Sequence, residues 1–326
     1  MHPRVRRFSG ALIVLLLFSW AGCHRQPPQQ QQQRQKIKVG YIPIAECAHI
    51  YVAISKKYFE EQNLEVDLQP MKGGAAILPA VQNGDLDIGF TNVASLVLLN
   101  SKLPPRAPNS FVSLVGASYE RPGSCNHALL TKRDSHLTVQ DLARPKTQIA
   151  LNTTRNIEEL MLRRYLEKNK VQATQLNIVP LAFPEMLPAL QRGTVQVASV
   201  VEPFIEPALR TGKYSVLARQ YLDVSPETVV ATYATTRAWI ARNDGRASSF
   251  IRAFEKANQF ITTDPAETRQ VIGSFTRIRP EDLAVMGMPA FEVRVAPKAL
   301  EELIRQMHRF EFIDHQVHWR DVILAP

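Results

Sequence analysis

Polar and apolar positions change rhythm repeatedly along this chain. Ile37, Val39 and Tyr41 alternate with Lys38 and Gly40, a two-residue period that predicts a strand. From 48 to 61 the apolar positions recur at helical spacing, and Leu64, Val66 and Leu68 then alternate again, completing a β-α-β unit. Gly73 and Gly74 open a second helix that runs to Asn83, Gly84 stops it, and residues 86–90 form a third apolar strand. Residues 112–117 and 128–130 read as strands and 139–142 as a short helix. A second alternation follows, with a strand at 149–151, an amphipathic helix at 156–168, a strand at 176–179, a helix at 184–192 and a strand at 195–200. After a strand at 229–235 the chain turns helical, at 246–262 and at 298–310. Alternating strands and helices predict an α/β fold of mainly parallel sheets with flanking helices.

One stretch recurs. Residues 77–89 overlay residues 186–198 at a constant offset of 109, with Leu78 on Leu187, Pro79 on Pro188, Ala80 on Ala189, Gln82 on Gln191 and Gly84 on Gly193. Two related helix-Gly-strand units explain this, one in each of two lobes; shared helix-stop chemistry is the alternative. The roughly 290 residues beyond the N-terminal segment exceed a usual single core and suit two domains. The chain is expected to build lobe I from 37–134 and 229–326 and lobe II from 135–228, with two linkers forming a hinge and the ligand cleft between the lobes.

The N-terminus follows other rules. Arg4, Arg6 and Arg7 precede an apolar run from Ala11 to Trp20, which ends in Ala21, Gly22 and Cys23. This reads as an export signal over residues 1–23, the run being about half the roughly 20 apolar residues of a membrane span; a permanent anchor is the alternative. Small residues before Cys23 resemble the processing site of bacterial lipoproteins, where that Cys is acylated, although Trp20 stands where an aliphatic residue is usual; simple secretion is the other outcome. Residues 24–36, mostly Gln, Pro and basic, cannot bury apolar surface and read as a disordered tether. The protein is therefore expected in the periplasm or cell envelope, tethered to membrane lipid.

Of the formal net charge of +9, three units come from the leader, leaving +6 beyond residue 22. Lys and Arg are scattered without blocks or interleaved aromatics, so no nucleic-acid partner is expected. With Cys23 acylated, only Cys47 and Cys125 remain in the folded part. They pair in an oxidising compartment or stay as two buried thiols; their spacing decides neither.

Several segments together resemble the ABC-importer binding proteins for nitrate, taurine, aliphatic sulfonates and thiamine-pyrimidine precursors. Gly40-Tyr41-Ile42-Pro43, Tyr51-Val52-Ala53, Tyr58-Phe59-Glu60 and Asn63-Leu64-Glu65-Val66 are similar to that family's opening strand and helix. Asn83-Gly84-Asp85-Leu86-Asp87-Ile88-Gly89 resembles its third strand, and Leu187 to Gly193 with Val201-Glu202-Pro203-Phe204 its second-lobe helix and Glu-Pro signature. The resemblance implies a two-lobed periplasmic-binding fold that closes on a small ligand by hinge motion. It also implies an ABC permease in the inner membrane as partner, a monomer, no cofactor and no catalysis.

In such sheets the ligand lies beyond the carboxyl ends of the strands, against helix N-termini. Candidate ligand contacts are therefore Glu46 and Cys47 after the first strand, Gly73 and Gly74 after the second, and Thr91 and Asn92 after the third. Ser124 and Asn126 precede the crossing strand. In lobe II, Asn152, Thr153 and Thr154 end a strand and begin a helix, with Thr154 as candidate cap, and Glu202 follows the matching strand. Glu46 and Cys47 in the cleft would favour a ligand with hydrogen-bond donors or a positive centre over a bare anion. For Glu46, Thr91 and Asn92 the alternative is helix capping; for Ser124 and Asn126 it is a surface turn, and for Glu202 a bond that fixes Pro203 and the next helix.

Catalytic signatures are missing: no Gly-rich dinucleotide or P-loop motif, no Gly-x-Ser-x-Gly elbow, no His-Glu-x-x-His. Pyrimidine-synthesising members of the same superfamily use a cofactor-binding Lys and a His, and Cys47 stands where that His would be. A non-transport lipoprotein is the remaining alternative class. Asp314, His315, His318 and Asp321 carry metal-donor groups, but their loose spacing reads as a solvated face, so no metal is expected.

Overall fold

The computed structural model describes residues 34–172 and 175–324 of the chain, with backbone alone at 74 and 75. The expected export signal, Cys23 and the tether up to residue 33 lie outside the described residues. In chain order the strands are β1 (Gln35–Tyr41), β2 (Leu64–Pro70), β3 (Ile88–Asn92), β4 (Phe111–Glu120), β5 (His127–Lys132), β6 (Gln148–Leu151), β7 (Asn177–Pro180), β8 (Val197–Val201), β9 (Tyr214–Ala218), β10 (Thr228–Thr236) and β11 (Ala290–Glu292). They form a six-stranded sheet, β11-β4-β10-β3-β1-β2, and a five-stranded sheet, β7-β6-β8-β5-β9.

The parallel pairing that the alternation predicts holds for β1 with β2 and β3 and for β6 with β7 and β8. Each sheet is completed by antiparallel strands, so both are mixed. In the first, β10 runs between β3 and β4, antiparallel to both; in the second, β5 runs between β8 and β9. Every residue of β10 is buried, which accounts for its unbroken run of Val, Ala, Thr and Tyr in place of alternation. The chain crosses to the second sheet between Glu120 and His127, upstream of the expected crossing at Asp134, because β5 pairs with β8 and β9. It returns at β10.

The recurring stretch has a structural counterpart in each sheet. Helix Gly74–Asn83 ends at Gly84 and leads to β3, and helix Phe183–Arg192 ends at Gly193 and leads to β8. Both glycines are left-handed, with φ of 85° and 78°. In each unit the next amide reaches back to the same alanine, Asp85 N to Ala80 O at 2.9 Å and Thr194 N to Ala189 O at 3.1 Å. A Gly without a Cβ is the residue that closes this helix stop without strain.

Residues 34–36 belong to the folded body and not to the tether. Gln35 and Lys36 already pair with Leu64 and Glu65, and Arg34 meets Glu60 at 2.7 Å. Among the described residues no helix is long and apolar enough to cross a membrane.

Candidate functional site

Where the two sheets face each other, they enclose a cavity of about 30 Å³. Its walls come from both: Ile42, Ile44 and Glu46 after β1, Phe90 and Asn92 in β3, Val230 and Ala231 in β10, and on the other side His127 in β5, Asn152, Asn156, Ile157, Glu158 and Phe183. A wider opening of about 300 Å³ adjoins it, sharing Ile42, Ile44 and Phe183 and adding Pro70, Met71, Lys72 and Phe204.

Four ionisable side chains meet at the cavity's polar end. Glu46 sits in the short turn Ala45–Cys47 that follows β1, and only 3% of it is exposed. Burial pushes its carboxyl up to about 7, against the opposing pull of His127; the nearby Glu120 and Glu158 add to the rise. His127 opens β5 and is equally buried, with Nε2 4.0 Å from Glu46 Oε2 and Nδ1 2.9 Å from Glu120 Oε1. Burial alone would lower its pKa, but Glu46, the bond with Glu120 and the charge of Glu158 outweigh that and lift it to about 9. The imidazolium is thus the buried counter-charge of a carboxylate cluster, and the Tyr221 ring stacks on it at 4.4 Å.

Glu158 comes from the second sheet's side. It lies in the first turn of helix Ile157–Lys168, whose cap is Asn156, accepting from Glu159 N at 3.1 Å. One oxygen, Oε2, accepts from Asn152 N at 2.7 Å. The other, Oε1, is buried without a partner, and burial raises the carboxyl's pKa. An acceptor left bare in a buried cavity calls for a donor.

The structure distributes the expected contacts unevenly. Glu46, Asn92 and Asn152 line the cavity. Asn92 also caps helix Val93–Asn100, accepting from Ser95 N at 2.8 Å. Gly73 lies at the lobe contact: Asn152 Nδ2 donates to Lys72 O at 3.3 Å, and a Cβ on Gly73 would stand 2.8 Å from Asn152 Oδ1. Gly74 begins the following helix.

The other candidates lie outside this cavity. Cys47 is fully buried among Tyr51 and Tyr233, and that burial pushes its thiol far up, so it does not face the cleft. Thr91 is fully buried, its hydroxyl on Asn92 O. Ser124 closes a tight turn with Arg121. Asn126 is buried behind His127, with Oδ1 3.1 Å from Nδ1. Thr153 is half-buried and Thr154 exposed, neither lines the cavity, and the cap expected at Thr154 is Asn156, because the helix starts at Ile157. Cys47 and Cys125 are both free thiols.

Glu202 is buried at the crossing. Its carboxylate accepts from Gly287 N at 3.2 Å and from Ile205 and Glu206 N, while its carbonyl accepts from Ala45 N at 3.0 Å. It ties the second sheet's exit to the first sheet's elements. Burial lifts it to about 7 despite these donors.

Sequence reasoning missed His127, Asn156, Glu158, Phe90 and Phe183 as lining residues. A trace of Glu158 was visible, since Asn156-Ile157-Glu158-Glu159 is a helix start beside a candidate loop. Nothing local marks His127. Among the described residues no three His, Cys, Asp or Glu converge to hold a metal ion.

Two substitutions probe the lobe contact. Gly73 has extended backbone, with φ 172°, that any residue adopts. Gly73→Ala should therefore fold normally while forcing Asn152 off Lys72. Ligand affinity should fall by about three- to tenfold, as expected when a closed state becomes rarer; calorimetric titration showing unchanged affinity would mean the lobe contact is dispensable. On the hinge side, a Cβ on Gly287 would stand 2.1 Å from Cys125 O, backbone against backbone. Gly287→Ala should destabilise by about 1–3 kcal/mol in urea melts, and a neutral result would show that this loop is free to shift.

Two mixed sheets with flanking helices, and a buried polar cavity between them, define the two-lobed periplasmic-binding fold. The solved periplasmic aliphatic sulphonate binding protein SsuA from Escherichia coli shares it, with TM-score 0.67 and 16% identity over 89% of this chain and 97% of that one. So does the periplasmic nitrate-binding protein NrtA from Synechocystis PCC 6803, with TM-score 0.71 and 10% identity over 86% of this chain and 83% of that one. By sequence, the Bacillus subtilis (strain 168) protein YtlA is 23% identical over 265 residues, 78% of this chain and 73% of YtlA. Residues 30–275 match the NMT1-like family, and the chain belongs to it.

Proposed function

We propose that this protein is the extracytoplasmic solute-binding component of an ABC importer, taking up a small polar molecule between its lobes and delivering it to a permease in the inner membrane. The observation that supports this best is the cavity itself, polar at one end and lined by residues from the sides of both sheets. Two solved proteins of the same fold are named for binding aliphatic sulphonate and nitrate, both small polar solutes. Export through residues 1–22 and acylation at Cys23 belong to the same reading, because a carrier that feeds a permease gains from being held near it.

Closure on ligand follows from walls that belong to two lobes. A saturating ligand should reduce the radius of gyration in solution scattering and raise the melting temperature, by roughly 2.7 kcal/mol of added stability at 100 times its dissociation constant. A ligand that raises melting temperature with no change in scattering would argue against hinge closure.

A further inference from the structure

The charges in the cavity narrow the cargo further. Glu46 reaches the cavity from the first sheet's side and Glu158 from the second's, and both are about 3% exposed. His127 is the one basic residue among the lining groups, and its Nδ1 is already engaged by Glu120. Three buried carboxyl groups therefore share a single buried cation. An oxyanion placed here would find no guanidinium or ammonium to neutralise it and would lie against carboxylates from both lobes.

Glu158 Oε1 provides an independent indication. It is a buried acceptor that no protein donor reaches in hydrogen-bond geometry, on a residue that lines the cavity. Such an atom leaves acceptor capacity for a donor that enters. The remaining walls combine the amides of Asn92, Asn152 and Asn156 with apolar side chains, among them Phe90 from one lobe and Phe183 from the other. Phe183, Ile42 and Ile44 continue into the wider, mostly apolar opening, which also carries one charge of each sign, Lys72 and Glu185.

We propose that the cavity and its adjoining opening together take a small planar organic cation bearing N–H donors, of the amidinium or guanidinium kind, with only its donor edge in the narrow space between Glu46 and Glu158 and its apolar part in the opening. This rests on the solute-binding reading above. The ligand becomes the second buried cation of the cluster, and it bonds to both lobes at once. Nitrate and alkyl sulfonates are rejected by the same carboxylates.

The test is a melting-temperature and calorimetric titration of the full chain at pH 8 with benzamidinium and methylguanidinium, against nitrate and butanesulfonate. The expected result is an upward shift with a cation and none with either anion. Glu158→Gln and Glu46→Gln should each weaken cation binding by about tenfold or more, the loss expected for one bond to a charged group. Their ligand-free melting temperatures check that they fold, and two variants guard against one failing to do so. Shifts by the anions alone would overturn the assignment of charge and leave the solute-binding reading standing. Equal cation affinity in wild type and both variants would also overturn it, since the carboxylates would then not be the contact. No shift and no change in scattering with any of the four would overturn both.

Discussion

His127→Ala is expected to destabilise the protein by about 3–5 kcal/mol near pH 7.5, the loss typical of breaking a buried ion pair by removing one partner. The reason is arithmetic of charge. Glu46 at 4.0 Å and Glu120 at 2.9 Å lose their one buried counter-ion, and Tyr221 loses the ring it stacks on. The deficit should depend on pH. His127 and Glu46 both have folded pKa values raised above those of the unfolded chain. Each such group contributes stability that is complete below its unfolded pKa and lost as pH rises through its folded one. For Glu46 the loss occurs on the way up through about 7, and for His127 through about 9. Below pH 5 Glu46 carries its own proton and needs the imidazolium less. Urea melts at pH 5 and 7.5 should therefore show a smaller gap between wild type and variant at pH 5; an equal gap at both would assign His127 to packing alone.

Phe254→Ala should cost a similar 3–5 kcal/mol for a different reason, the deletion of a large buried ring. Phe254 lies in helix Asp244–Thr263 and is fully buried. It stacks on Phe250 at 4.5 Å and on His49 at 5.6 Å, and meets Tyr233 edge-on at 4.8 Å. Gly116, at φ 74°, carries no Cβ where its backbone presses on that ring, and one placed there would lie 2.8 Å away. Phe254 does not line the cavity, so the protein that remains folded should bind solute with unchanged affinity. A matching loss of affinity would mean that the aromatic cluster sets the position of the strands bearing the site.

The fold was legible because its signals are local. Alternation at β1 and β2, helical spacing between them, and the glycines that stop the two equivalent helices all lie within short windows. The mixed character of the sheets was not legible, since the direction of β5 and β10 depends on partners far along the chain. The short edge strands β9 and β11 were missed for the same reason.

The site was legible in half. Loops after strands identified Glu46, Asn92 and Asn152, because strand ends and caps have sequence signatures. Whether a loop side chain points to the cleft or the core has none: Cys47, adjacent to Glu46, turns inward to Tyr51 and Tyr233. His127 and Glu158 are 31 residues apart in sequence, and only the assembled second sheet brings them to one cavity.

The bare backbone at Gly73 finally acts as a spacer gauge between the lobes. A series of progressively larger side chains there should titrate the closed population in steps. Because apparent affinity scales with that population, one position outside the cavity lining offers a graded dial for a biosensor.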